Sequence, residues 1–153
     1  MHDIKRILVI SRMTKDCKKA IHYGVALANM TGAELNVLHL VQHPIDFDMA
    51  GWFPLKTMER EYRMFIQEAK EELDEMIGRE KTGGMDIKEE VAEGDPEANI
   101  LKIVNEKKID LLVMLAHEQG RVEHFLFGHS IHEIIRKMPC SIVLVKTANE
   151  PAS

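Results

Sequence analysis

The sequence has no apolar run that could cross a bilayer, no excess of basic residues and no paired cysteines. The first apolar stretch, Ile7 to Ile10, has four residues, far short of a membrane span or a signal-peptide core. Lys and Arg number 20 against 25 Asp and Glu, a net charge of −5. A nucleic-acid binder needs the opposite balance to neutralise phosphates. Cys17 and Cys140 stand far apart in the chain, which excludes a disulfide framework and a thioredoxin-type C-x-x-C pair. Glycine is missing where nucleotide folds most often use it: Ser11-Arg12-Met13-Thr14-Lys15-Asp16 holds none. The expectation is a cytoplasmic protein with neither nucleic-acid nor membrane partners.

What is present suits one globular domain. The chain has 153 residues, 45% hydrophobic and 29% charged, enough to bury a core without staples. The domain is expected over residues 1–147, with 148–153 as a short flexible tail. Short apolar runs alternate with longer amphipathic ones. Arg6 to Ile10, Leu35 to Val41, Asp86 to Ala92, Ile109 to Leu115 and Ser141 to Lys146 read as strands, the third interrupted by charge. Helices are predicted over Asp16 to Met30, stopped by Gly32, and from about Lys56 to Arg79. A third follows Gly94-Asp95-Pro96-Glu97, where Asp95 is the cap, Pro96 the first helical residue and Glu97 an acid in the first turn. The last runs from about Phe127 to Lys137.

This alternation predicts an α/β fold: a five-stranded parallel sheet, order 3-2-1-4-5, with helices on both faces. In such sheets ligands bind beyond the carboxyl ends of the strands where strand order reverses, here between the first and fourth. The candidate binding residues are therefore Ile10, Ser11 and Arg12 after the first strand, and Val41 at the end of the second. Ala116, His117 and Glu118 follow the fourth, and Gly128, His129 and Ser130 start the last helix. A P-loop and a dinucleotide fingerprint both need glycines after the first strand. A phospho-receiver needs acids there and an aspartate ending the third strand. Ser11, Arg12 and Ala92 occupy those places. No class-defining catalytic set is visible.

The run Ile109 to Met114, then Ala116-His117, Phe125-Leu126-Phe127-Gly128, Ile134-Ile135-Arg136 and Pro139-Cys140-Ser141-Ile142-Val143-Leu144-Val145 resembles the closing segment of the universal stress protein family. Glu93-Gly94-Asp95-Pro96 and Leu38-His39-Leu40-Val41 resemble its third helix entry and second strand end. The resemblance extends over nearly the whole chain. It implies the Rossmann-like universal stress protein fold, a stress-response role, and a homodimer made through the edge strand 141–146. It also implies a place to look for ATP. Nucleotide-binding members carry G-x(2)-G-x(9)-G-[ST], whose glycines let backbone N–H groups approach phosphates before an anion-attracting helix start.

Aligned without gaps on Gly128, this chain places Leu115 and Glu118 at the first two glycines and His129 at the hydroxyl. Glu118 would set a negative charge against a triphosphate, on the order of 4 kcal/mol at about 4 Å. Arg12 stands where nucleotide-binding members show an aspartate, exchanging an acceptor for a fixed cation. ATP is not expected, and no other cofactor is implied. The reading is a regulatory binding protein of the non-ATP-binding kind, without turnover, with an unknown protein partner in prospect. The alternative is a sensor for a nucleotide, ATP or AMP, or for another small anion in the same crevice. Slow nucleotide hydrolysis would need a metal and an acid or base, which only the histidines could offer.

Two readings stand for Arg12, His117 and His129. They form a pocket for a different anion, or a solvated rim in which Arg12 pairs with Glu118 and fills the vacated site; the second is favoured. His124, His129 and His132 are the metal candidates; His129 and His132 share one helical face, but no third ligand stands at a defined spacing from that pair, and no metal is expected. Ser130 with Glu133 matches a capping box, opposite an apolar side of Ile131, Ile134, Ile135 and Met138. Cys140 reads as inert core. The long connection Gln42 to Pro54, with Phe47, Trp52 and Phe53, is either a lid or a cluster packed on the long helix.

Overall fold

Five stretches rich in β-branched and leucine residues pair, and the segments between them coil into helices that cover both sides. A computed structural model of the protein describes residues 3–12, 14–41, 55–116 and 130–146. The strands are β1 (Arg6–Ser11), β2 (Glu34–Val41), β3 (Ile87–Glu93), β4 (Leu111–Leu115) and β5 (Ser141–Val145). The helices are α1 (Cys17–Thr31), α2 (Leu55–Thr82), α3 (Pro96–Lys107) and α4 (Ser130–Lys137). All strand pairs are parallel, in the order β3-β2-β1-β4-β5. The predicted topology is thus the observed one, and strand order reverses between β1 and β4.

Period-two alternation sends neighbouring residues of each strand to opposite faces. Ile7, Val9, Leu35, Val37, Val113 and Leu115 pack with Ala20, Ile21, Val25, Leu73 and Ile77 of α1 and α2. Leu8, Ile10, Leu38, Leu112 and Met114 pack with Ile100, Ile103, Val104 and Ile134 of α3 and α4. β1 and β4 are buried on both sides, as central parallel strands must be. Gly32 ends α1 in the left-handed conformation (φ 74°), its N–H returning to the Ala28 carbonyl at 2.8 Å. Asp95 caps α3 through its carboxylate, which accepts from the Ala98 N–H at 2.9 Å, and Pro96 opens the helix.

Some boundaries differ from expectation. α2 runs on to Thr82, because no chain-breaking residue intervenes before Gly83 and Gly84. Ile109 and Asp110 stay outside β4. The Asp110 carboxylate instead accepts from the Lys5 and Arg6 N–H groups at 2.9 Å each, turning that segment aside to tie the entrance of β1. On α4, Ile134 is buried but Ile135 is 43% exposed, so the apolar stripe is narrower than predicted. Cys140 is only half-buried. Burial first, then the Asp110 carboxylate, pushes its thiol up, which lowers its thiolate fraction and its reactivity. Among the described residues, no helix is long and apolar enough to cross a membrane.

Candidate functional site

The crevice is built from the ends of β1, β2 and β4. Ile10, the penultimate residue of β1, is buried with the α3–α4 side of the core. Ser11 closes the strand and is buried, and Arg12 follows at 4% exposed. Arg12 is therefore not solvated, contrary to one half of the favoured expectation; the other half, its filling of the vacated site beside Glu118, involves residues outside those described. Arg12 leaves a fully buried strand directly, and its own N–H donates to Cys17 Sγ at 3.2 Å. Thr14 Oγ1 lies 3.2 Å from the same sulfur. The Cys17 and Lys18 N–H groups donate to the Thr14 and Lys15 carbonyls at 3.1 and 3.2 Å. Residues 14–18 thus close in a tight turn beneath Arg12, and the Cys17 thiol is the post around which it is wound.

On the opposite side of the reversal, Leu115 ends β4 at 2% exposed, its side chain within the core beneath α1. A residue at this point with a buried side chain fills volume that a glycine would leave to a ligand. Ala116 is half-buried and its N–H donates to the Val145 carbonyl at 2.8 Å. Val41 is half-buried at the end of β2. His117, Glu118, His124, Gly128 and His129 lie outside the described residues, and so do the proposed Arg12–Glu118 pair and the connection 42–54.

Ser130 is the first residue of α4. Glu133, its capping-box partner by spacing, directs its carboxylate to Arg136 and to Lys137, the latter at 3.6 Å. These two cations hold its carboxyl below the usual range, the Arg136 hydrogen bond foremost. His132 is exposed on the same helix. Among the described residues, no group of three His, Cys, Asp or Glu side chains is placed to hold a metal ion.

Residue reasoning had passed over His39. It lies on the face of β2 turned toward α1 and α2, its Nδ1 3.1 Å from Ser11 Oγ and its Nε2 3.1 Å from Glu89 Oε1. The signal was available, since a lone imidazole inside the run Leu35 to Val41 must find partners if that run is a buried strand. A separate groove of about 720 Å³ is lined by Lys18, His22, Glu72, Arg79 and Lys146 among others. Its walls carry both signs of charge, which does not make an anion site.

With the strand order and crevice in view, comparison with known proteins decides the family. The model of the universal stress protein family matches residues 3–146. The chain belongs to that family. A universal stress protein of Methanothermobacter thermautotrophicus is 24% identical over 150 residues, covering 96% of this chain and 99% of that protein. Universal stress protein MJ0577 of Methanocaldococcus jannaschii is similar in fold: its solved structure gives a TM-score of 0.69 at 20% identity, over 97% of this chain and 100% of that one. A universal stress protein solved in complex with cAMP gives a TM-score of 0.58 at 17% identity, over 94% of this chain and 98% of that one. These likenesses to solved structures are likenesses of fold. In this universal stress protein, the described residues at the point where strand order reverses are Ser11, Arg12, Leu115 and Ala116.

Proposed function

We propose that this universal stress protein is a cytoplasmic regulatory binding protein of the non-ATP-binding kind, working as a homodimer without turnover. The observation that carries the reading is the burial of Arg12 and Leu115, at 4% and 2% exposed, at the two strand ends where the order reverses. Leu115 stands at the first glycine of the family's nucleotide motif in the gap-free register, and Arg12 where an aspartate is usual. Both positions that would open toward a nucleotide carry large side chains packed inward.

The second reading is a sensor for a nucleotide or another small anion in that crevice. A family neighbour in complex with cAMP favours it, as does a fixed cation at the end of β1. Calorimetry of the purified protein against ATP and AMP, with chromatography of anything released on denaturation, separates the two. No heat of binding and no released nucleotide is expected. Stoichiometric ATP would sink the first reading. An Arg12→Asp, Leu115→Gly, Glu118→Gly, His129→Ser variant is expected to gain ATP affinity, which would trace the closure to those four positions.

A further inference from the structure

Three polar side chains form a hydrogen-bonded chain on the face of the sheet turned toward α1 and α2, a face whose exposed margins also carry Glu93 and Ser141. Ser11 and His39 are register partners on β1 and β2, and Glu89 on β3 pairs with Val37, two residues before His39. Period-two geometry therefore places all three on the side that α1 and α2 cover. Lys81 of α2 completes the chain, donating from Nζ to Glu89 Oε2 at 2.8 Å. Among the described residues, the charged groups turned toward His39 are Glu89 from β3 and, behind it, Lys81 from α2. β1 offers the Ser11 hydroxyl, with Arg12 next along the chain. Lys15, just before α1, and Lys18 on it pair with Glu68 and Glu72 of α2.

The donor and acceptor roles follow from chemistry. Burial alone would raise the Glu89 carboxyl, but hydrogen bonds from Lys81 and His39 together hold it below its usual 4.5. At neutral pH it is ionised and can only accept. His39 Nε2 must then carry the proton, which leaves Nδ1 of the neutral ring as an acceptor. Ser11 accordingly donates its hydroxyl proton to Nδ1. A second proton on the ring reverses that bond. Nδ1–H becomes the donor, Ser11 Oγ accepts, and the serine O–H, still intact, turns its hydrogen away from the ring. Glu89 keeps both of its donors throughout, so its carboxylate is satisfied in either state.

We propose that His39 is a proton-operated switch that sets whether the Ser11 hydroxyl donates into the sheet or away from it, at the floor of the crevice. Protonation adds a positive charge beneath the strand ends and turns the Ser11 O–H away from the ring, two changes that both favour an anion above. The turn that begins at Arg12 carries the effect onward, since Arg12 follows Ser11 directly and is tied through its N–H to Cys17 Sγ.

The test uses the full chain labelled with nitrogen-15 and no added ligand, so its outcome is independent of whether a nucleotide binds. Long-range ring spectra at neutral pH should show His39 as the Nε2–H tautomer. As the pH is lowered, the Ser11 and Arg12 amide signals should move in step with the His39 ring. In Ser11→Ala the ring should still take up its proton while the Arg12 amide loses most of that response. Ser11→Thr, which keeps the hydroxyl, should restore it. The proposal is overturned by an Nδ1–H tautomer at neutral pH, or by a ring that stays neutral until the protein unfolds. It is overturned equally by amides that do not follow the ring, or by a full Arg12 response in Ser11→Ala.

Discussion

A Cβ placed on Gly24 would stand 2.3 Å from Val9 Cγ2 and 3.3 Å from Leu35 Cδ1. Gly24 is a packing residue: it lets α1 approach β1 and β2 closely enough to seal that side of the core. Alanine would gain about 1 kcal/mol of helix propensity. It would also overpack a site whose neighbours are fully buried, at a cost of about 1–3 kcal/mol. Gly24→Ala is therefore expected to lower the urea midpoint, and an unchanged or raised midpoint would show that the helix can lift without penalty. At this scale, legibility in the sequence depended on whether a residue's partner was local. Asp95, Pro96 and Gly32 were readable because a cap is satisfied within one helical turn. Arg12 was misplaced as a solvated residue because its burial is set by tertiary packing that sequence spacing does not reveal. His39 went unread because its partners Ser11 and Glu89 are 28 and 50 residues away in the chain. Only the sheet register brings them together.

Elements were read more reliably than single residues, since hydrophobic period survives small errors of position. Strand identity followed from the alternation of apolar and amphipathic runs, the order from the arrangement common to such sheets, and the errors fell at ends such as Ile109-Asp110, where a side-chain contact decides. The edges of the sheet were also foreseeable: β3 is charged and β5 closes the order on the other side. Along β5, the Val145 carbonyl accepts from Ala116, so it points back toward the β4 side. In an extended strand the next residue points the other way. The Leu144 N–H accordingly faces the open edge, and its side chain is 42% exposed. An apolar strand with outward backbone donors is a template for a second copy. Leu144→Pro removes an outward donor and leaves the β4 ladder intact. Sedimentation is expected to show a dimer for the parent and a monomer of unchanged helix content for the variant. A monomeric parent would refute the edge pairing, and a dimeric variant would place the interface elsewhere.

Across the whole molecule, acid is the condition most informative about how the charges are arranged. Glu34, Glu72, Glu89 and Glu133 are all held below the usual carboxylate value of 4.5. For Glu34, Glu72 and Glu133 the leading cause is a hydrogen bond, from Lys88, Lys18 and Arg136 respectively. A carboxylate whose folded value is depressed contributes stability that is fully present above its unfolded value. That contribution is lost as the pH falls through the folded one. The urea midpoint should thus hold above 4.5 and decline below it. The surface pairs are open to counterions, and about 1 M salt, with a screening length of about 3 Å, should flatten most of their share. Glu89 differs, because its partners His39 and Lys81 meet it between the sheet and the end of α2. Lys81→Met removes a donor that offsets the burial of Glu89, so the ionised form loses support and the neutral form does not. The variant should be less stable than the parent at neutral pH, and the gap should close as the pH falls below 4.5. A gap of constant size at every pH would mean that Lys81 contributes only the packing of its aliphatic stem. The Glu89 carboxylate would then be held in place by His39 alone.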